Sequence, residues 1–166
     1  PDHTDSMRGS HTLQDCAATA GYHGSGSDVS QCPANTYKTG TAESSALCLA
    51  CPDNSNSAGA VARSTITSCV CDSGFKGDIT GVTSVCSQIN PCAVNDDDCH
   101  AHATCSHTAP GEHSCKCQTG YFGSGQVCTV CPVDMYSETA GTAFCTECPS
   151  HTNTGGETGS NTATAC

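Results

Sequence analysis

Seventeen cysteines dominate the chemistry available to this 166-residue chain. Three C-x-x-C pairs, Cys48/Cys51, Cys128/Cys131 and Cys145/Cys148, have the spacing used to hold zinc or to cycle between thiol and disulfide. A zinc ribbon wants such pairs matched at a suitable separation, and a redox motif wants a βαβ setting. Neither setting is present, so the cysteines read as structural disulfides. Cysteine at about a tenth of the chain indicates an oxidising compartment, and hence an extracellular or cell-surface protein.

His100, His102, His107 and His113 form the other concentration of ligand-type side chains. A zinc tetrahedron needs its rings oriented by second partners. On a short exposed stretch, solvated imidazoles are the plainer expectation, and neither a metal nor another cofactor is expected. No nucleophile elbow, phosphate-cradling glycine loop or buried carboxylate pair is recognisable, so the chain is not expected to be an enzyme. Serine and threonine supply 42 residues, and seven of the fifteen in 150–164 carry a hydroxyl. No N-x-[ST] sequon exists, so any glycan is expected to be O-linked. The candidates are Thr152, Thr154, Thr158, Ser160, Thr162, Thr164, Ser55 and Ser57, against the alternative of plain polar loops.

The elements that must position these groups have little apolar material. Leu, Ile, Val and Phe make 18 of 166 residues and there is no Trp, below the roughly 20% at which a core becomes difficult. Each disulfide closing about 15 residues contributes roughly 3 kcal/mol in the chain-entropy account. Bonds at this density can hold several small modules, but not one large globule. The net charge of −11, with five Lys plus Arg, disfavours nucleic acid and anionic membrane as partners. No apolar run is long enough to insert in a membrane within this segment. The opening residues lack an apolar leader stretch, and the chain reads as a piece of a longer one.

Internal repetition sets the architecture. Residues 18–33, ATAGYHGSGSDVSQCP, match 117–132, CQTGYFGSGQVCTVCP, at seven of sixteen positions. CPANTYKTGTAESSALCLACP at 32–52 matches CPVDMYSETAGTAFCTECP at 131–149, and Cys48, Cys51 and Cys69 recur 97 residues later as Cys145, Cys148 and Cys166. Cys117 and Cys128 are both missing from the earlier copy, where Ala18 and Val29 stand.

Residues 92–128 space their cysteines C-x6-C-x5-C-x9-C-x-C-x10-C and carry G-Y-x-G after the C-x-C. This closely resembles an epidermal growth factor (EGF)-like module. The resemblance implies the bonds Cys92–Cys105, Cys99–Cys115 and Cys117–Cys128. Cys32-Pro33, Tyr37, Cys48-x-x-Cys51-Pro52 and Cys69, with their counterparts Cys131-Pro132, Tyr136, Cys145-x-x-Cys148-Pro149 and Cys166, resemble the ephrin-receptor-like repeat, distantly similar to tumour-necrosis-factor-receptor modules. That likeness suggests Cys32–Cys48, Cys51–Cys69, Cys131–Cys145 and Cys148–Cys166, with Cys32–Cys51 and Cys48–Cys69 as the alternative. CVCDSGFKG after Ser68 is another EGF-like tail, and Cys71–Cys86 follows by analogy with Cys117–Cys128. Cys16 aligns with Cys115. The counterpart of Cys99 would fall one residue before Pro1, which leaves Cys16 unpaired in this chain or bonded outside it. Calcium-binding EGF modules carry acids before the first cysteine; here Gln88, Asn90 and Pro91 stand there, an incomplete oxygen cage.

The expected fold is a set of small disulfide-rich modules made of short β-hairpins and loops, almost without helix, in an elongated rod-like tandem array. The expected divisions are 1–31, the degenerate tail of an EGF-like module; 32–86, an ephrin-receptor-like repeat with an EGF-like tail; 87–128, an EGF-like module; and 129–166, the start of a second ephrin-receptor-like repeat. Hairpins are expected near 35–48, 113–128 and 134–145, with 53–67 and 150–165 as loops held only by their end cysteines. The expected role is a non-enzymatic structural repeat of a fibre, surface appendage or matrix, associating head to tail with itself and carrying O-glycans. The alternative is a receptor or adhesion ectodomain that binds a protein or glycan, since such modules serve both classes.

Overall fold

The computed structural model describes residues 2–6, 11–12, 15–40, 47–81 and 83–166. The chain divides into two compact units, Pro1–Gln88 and Ile89–Cys166. With so few large apolar residues, the buried positions fall chiefly to sulfur: Cys32, Cys69, Cys86, Cys117, Cys128 and Cys131 are buried, joined by Ala18 and Tyr37. The eight bonds are Cys32–Cys48, Cys51–Cys69, Cys71–Cys86, Cys92–Cys105, Cys99–Cys115, Cys117–Cys128, Cys131–Cys145 and Cys148–Cys166. Each spans between 11 and 18 residues of sequence. Cys16 is a free thiol, half-buried.

In the first unit, strands β1 (Thr4–Asp5), β2 (Ala17–Ala18), β3 (Tyr22–Ser25) and β4 (Asp28–Gln31) form one antiparallel sheet in sequence order. Three two-stranded ladders follow: β5 (Thr36–Tyr37) with β6 (Leu49–Ala50), β7 (Ser55–Asn56) with β8 (Val70–Cys71), and β9 (Phe75–Lys76) with β10 (Ser87–Gln88). The second unit opens on a single helical turn, α1 (Pro91–Val94). Pro91 suits its first position, and Asn95 ends it in the left-handed conformation at φ 54°. Then come β11 (Ala103–Ala109) with β12 (Glu112–Cys117), β13 (Tyr121–Gly123) with β14 (Cys128–Val130), and β15 (Met135–Tyr136) with β16 (Thr146–Glu147).

Three features differ from the expectations. The hairpin placed near 113–128 is two hairpins, 103–117 and 121–130, because the turn at Pro110–Gly111 lies upstream of the C-x-C. The strands placed within 35–48 and 134–145 pair instead with the two residues inside the C-x-x-C, beyond Cys48 and Cys145; residues 41–46 lie outside the described residues. The loops 53–67 and 150–165 are held by more than their cysteines. β7 pairs with β8, and Tyr37 and Tyr136 make single bridges to Arg63 and Ser160.

The repetition is kept in the hydrogen-bond frame. Thr4 faces Ala18 as Ala103 faces Cys117. Tyr22 faces Gln31, Phe75 faces Gln88 and Tyr121 faces Val130, so three tails share one register. The hairpin of residues 17–31 keeps this frame with Ala18 and Val29 in place of a disulfide, because its ladder is made by the main chain.

Candidate functional site

The most distinctive construction is the joint between an EGF-like tail and the cysteine-rich repeat after it, found twice; in each, two main-chain bonds cross from tail to repeat and three more tie the repeat's start to its later loops. In the first unit, the Gly21 amide donates to the Lys38 carbonyl at 2.9 Å, Cys32 to Gly21 at 2.8 Å, Ala62 to Cys32 at 2.8 Å, Lys38 to Arg63 at 3.0 Å and Cys51 to Asn35 at 2.9 Å. In the second, Gly120 donates to Ser137 at 2.9 Å, Cys131 to Gly120 at 2.9 Å, Gly159 to Cys131 at 2.8 Å, Ser137 to Ser160 at 3.0 Å and Cys148 to Asp134 at 2.9 Å. Glycine is required where tail and repeat meet. A Cβ on Gly21 would lie 2.4 Å from the Ala62 carbonyl oxygen, and one on Gly120 would lie 2.4 Å from that of Gly159, with φ at +82° and +81°.

A side-chain clasp accompanies each joint. Ser57 Oγ accepts from the Asn35 amide and donates to the Ala60 carbonyl, while the Ser57 amide donates to Asn35 Oδ1. Thr154 repeats this pattern against Asp134 and Glu157. Ser57 and Thr154 are accordingly buried, as is Ser160. A sugar has no room at these three candidates while the turn is folded. Thr152, Thr158, Thr162 and Thr164 are exposed and Ser55 is half-buried. No sequence period marks Ser57 and Thr154 as buried, since the residue that clasps each, Asn35 or Asp134, lies 22 or 20 residues away.

The four histidines do not converge. His100 Nδ1 accepts from the His102 amide at 3.1 Å. His102 stacks on Tyr121 with centroids 4.3 Å apart, as His3 stacks on Tyr22 at 4.0 Å. His107 lies opposite His113 across β11–β12, and its Nε2 is 3.3 Å from the Ile89 carbonyl. His113 Nε2 contacts Asp98 Oδ1 at 2.8 Å, and Gln126 donates to the other Asp98 oxygen. The His113 contact, followed by that of Gln126, holds the Asp98 carboxyl below its usual pKa.

Each C-x-x-C is divided between different disulfides, so neither member is a thiolate able to take zinc. The groupings Cys99/His113/Cys115 and Asp97/Cys99/Cys105 bring ligand-type atoms within 4.8 Å, but their sulfurs are likewise bonded. Pro91 is buried in α1 and Asn90 precedes it in extended backbone, with its side chain making no cap hydrogen bond. A shallow groove of about 450 Å³ lies in the first unit among Tyr37, Leu49, Pro52, Ile66 and Val85, with Asp53 also lining it. Among the described residues no helix is long and apolar enough to cross a membrane.

Comparison with known proteins places these modules. Residues 92–128 match the family model for the EGF domain, and 118–166 match that for the tyrosine-protein kinase ephrin type A/B receptor-like repeat. Human thrombospondin-2 is 43% identical over 47 residues, covering 26% of this chain and 4% of that protein. Mouse stabilin-2 is 42% identical over 66 residues, covering 40% of this chain and 2% of that protein. The mouse signal peptide, CUB and EGF-like domain-containing protein 2 is 45% identical over 40 residues, covering 24% and 4%. The chain thus spans only a few per cent of the length of these relatives. No solved structure matches. The chain carries EGF-like and ephrin-receptor-like cysteine-rich modules, and its extracellular location follows from them together with the disulfides.

Proposed function

We propose that the chain is a non-enzymatic structural segment of an extracellular fibre, surface appendage or matrix, built from tandem disulfide-rich modules that associate head to tail or continue in a longer array. The observation that carries this reading is the five-bond main-chain pattern, made twice at corresponding positions although the residues differ at Lys38/Ser137, Ala62/Gly159, Arg63/Ser160 and Asn35/Asp134. A joint formed mostly by main chain can be repeated along an array whatever the exposed side chains become. Buried sulfur in place of an apolar core leaves little setting for desolvated catalytic groups, which supports a non-enzymatic role. The division at 31/32, 86/87 and 128/129 belongs to this proposal, as do O-glycans on the exposed hydroxyls of 150–164 and on Ser55.

A second reading, a receptor or adhesion ectodomain, is favoured by the groove at Tyr37, Leu49, Pro52, Ile66 and Val85. Electron microscopy of the purified protein separates the two. Filaments with a regular axial repeat are expected from the first reading; dispersed monomers that capture a protein or glycan would replace it with the second.

A further inference from the structure

The geometry points to a metal site closed off by a disulfide: we propose that reduction of Cys99–Cys115 creates a zinc site from Cys99, Cys115, His113 and Asp98. The sulfurs of Cys99 and Cys115 and a ring nitrogen of His113 lie within 4.8 Å of one another. Asp98 Oδ1 is 2.8 Å from His113 Nε2 and 3.9 Å from Cys115 Sγ. Tetrahedral zinc with bonds of about 2.0–2.3 Å sets its ligands about 3.3–3.8 Å apart. Cys99 and Cys115 lie 5.3 Å apart at Cα, so once their bond is open side-chain rotation alone can bring the sulfurs to that separation. The other Asp98 oxygen is already held by Gln126, an outer partner that would orient the carboxylate.

The surroundings single this bond out. Five of the eight disulfides have at least one buried cysteine. Cys92–Cys105, Cys99–Cys115 and Cys148–Cys166 are half-buried at both ends. Of these three, Cys99–Cys115 alone joins a histidine in a ligand grouping among the described residues. The neighbouring group Asp97/Cys99/Cys105 draws its sulfurs from two different bonds, so both would have to open. The β11–β12 ladder keeps Cys115 opposite Cys105 whether or not its own bond is closed.

The chemistry balances with a dithiol as reductant. A thiolate of the dithiol attacks Cys99 Sγ, and the Cys115 sulfur leaves with the bonding electron pair and takes a proton from solvent. The second thiol then displaces Cys99, giving an oxidised cyclic disulfide and two protein thiols. Zinc binds the two sulfurs as thiolates and releases their two protons to solvent.

The test uses the whole oxidised chain with limiting dithiothreitol and cobalt(II) under anaerobic conditions. The expected result is one opened bond, located by alkylation at Cys99 and Cys115, and one cobalt per chain. That cobalt should show the visible bands of four-coordinate, thiolate-bound metal and be displaced by zinc. His113→Ala, first shown by peptide mapping to form all eight disulfides, should lower cobalt affinity about 100-fold while the same bond still opens. Asp98→Asn should weaken binding less. Four results would overturn the proposal: another bond opening first, exchange of freed Cys99 onto Cys105, no bound cobalt after reduction, or equal binding by His113→Ala.

Discussion

The Lys38 ammonium donates to the Ala18 carbonyl at 2.8 Å, a task that in the second unit falls to the Gly141 amide, which donates to the Cys117 carbonyl at 2.8 Å. Side chain and main chain thus satisfy the same buried acceptor in the two copies. Lys38→Met keeps the length of the side chain and removes the donor. It should cost about 1–3 kcal/mol of stability in the first unit, the cost of a buried unpaired carbonyl. Burial also lowers the Lys38 pKa. Between its folded value and the ordinary lysine value, the unfolded chain holds a proton that the folded one has lost, so stability should rise with pH there. Thermal unfolding of both proteins on the alkaline side checks this, and the Met variant should lack the slope.

The clasp predicts an order among hydroxyl substitutions. Ser57→Ala and Thr154→Ala each leave a half-buried amide and carbonyl without their hydroxyl partner and should cost about 1 kcal/mol. Thr154→Ser keeps the hydroxyl and should cost well under half as much. Amide exchange should accelerate at Asn35 in the first variant and at Asp134 in the second, leaving the other copy unchanged.

Gly120→Ala should be strongly damaging in the second unit. It places a carbon 2.4 Å from a main-chain oxygen at a positive φ; the φ alone costs about 1–3 kcal/mol, and the close contact adds to it. Misoxidised species on refolding, read by non-reducing peptide maps, are the expected sign. Gly155→Ala, where a Cβ meets nothing within 4 Å, supplies the control for φ alone.

Asp98 gives an acid-side prediction. Its folded pKa is depressed, chiefly by His113. Its stabilising contribution is therefore present above the unfolded carboxylate value and lost as pH falls through the lowered folded value. Amide exchange in 96–99 and 124–127 should quicken over that window, and Asp98→Asn should remove the dependence on pH.

Glycopeptide mapping of the native protein should find sugars at Thr152, Thr158, Thr162, Thr164 or Ser55, and none at Ser57, Thr154 or Ser160. Occupancy of Ser57 or Thr154 would mean that the clasp is not closed in the native state.

The module types were legible because cysteine spacing is a covalent record, read without knowing how the chain packs. Gly120-Tyr121 and Cys117 could be recognised from residues standing next to one another. The joint could not be read in this way. Gly120 meets Gly159, and Asn35 meets Ser57, across separations that neither helical nor strand periodicity marks. The same gap explains the glycan candidates. A threonine in a Gly/Ser/Thr-rich stretch looks solvated until its partner is known, and Thr154 is buried because Asp134 comes back to it. The sequence displays His113 as a ligand-type residue, but its pairing with Asp98 depends on the loop returning to β12.

The hairpin that keeps its register with Ala18 and Val29 bears on how such a chain reaches its oxidised state. A module that stands without one of its disulfides presents fewer thiols to the folding machinery, and so fewer wrong partners for its neighbours. Removing both cysteines together gives up a cross-link while easing the sorting of those that remain. A chain made this way gives up a cross-link in one module in exchange for correct pairing in the others.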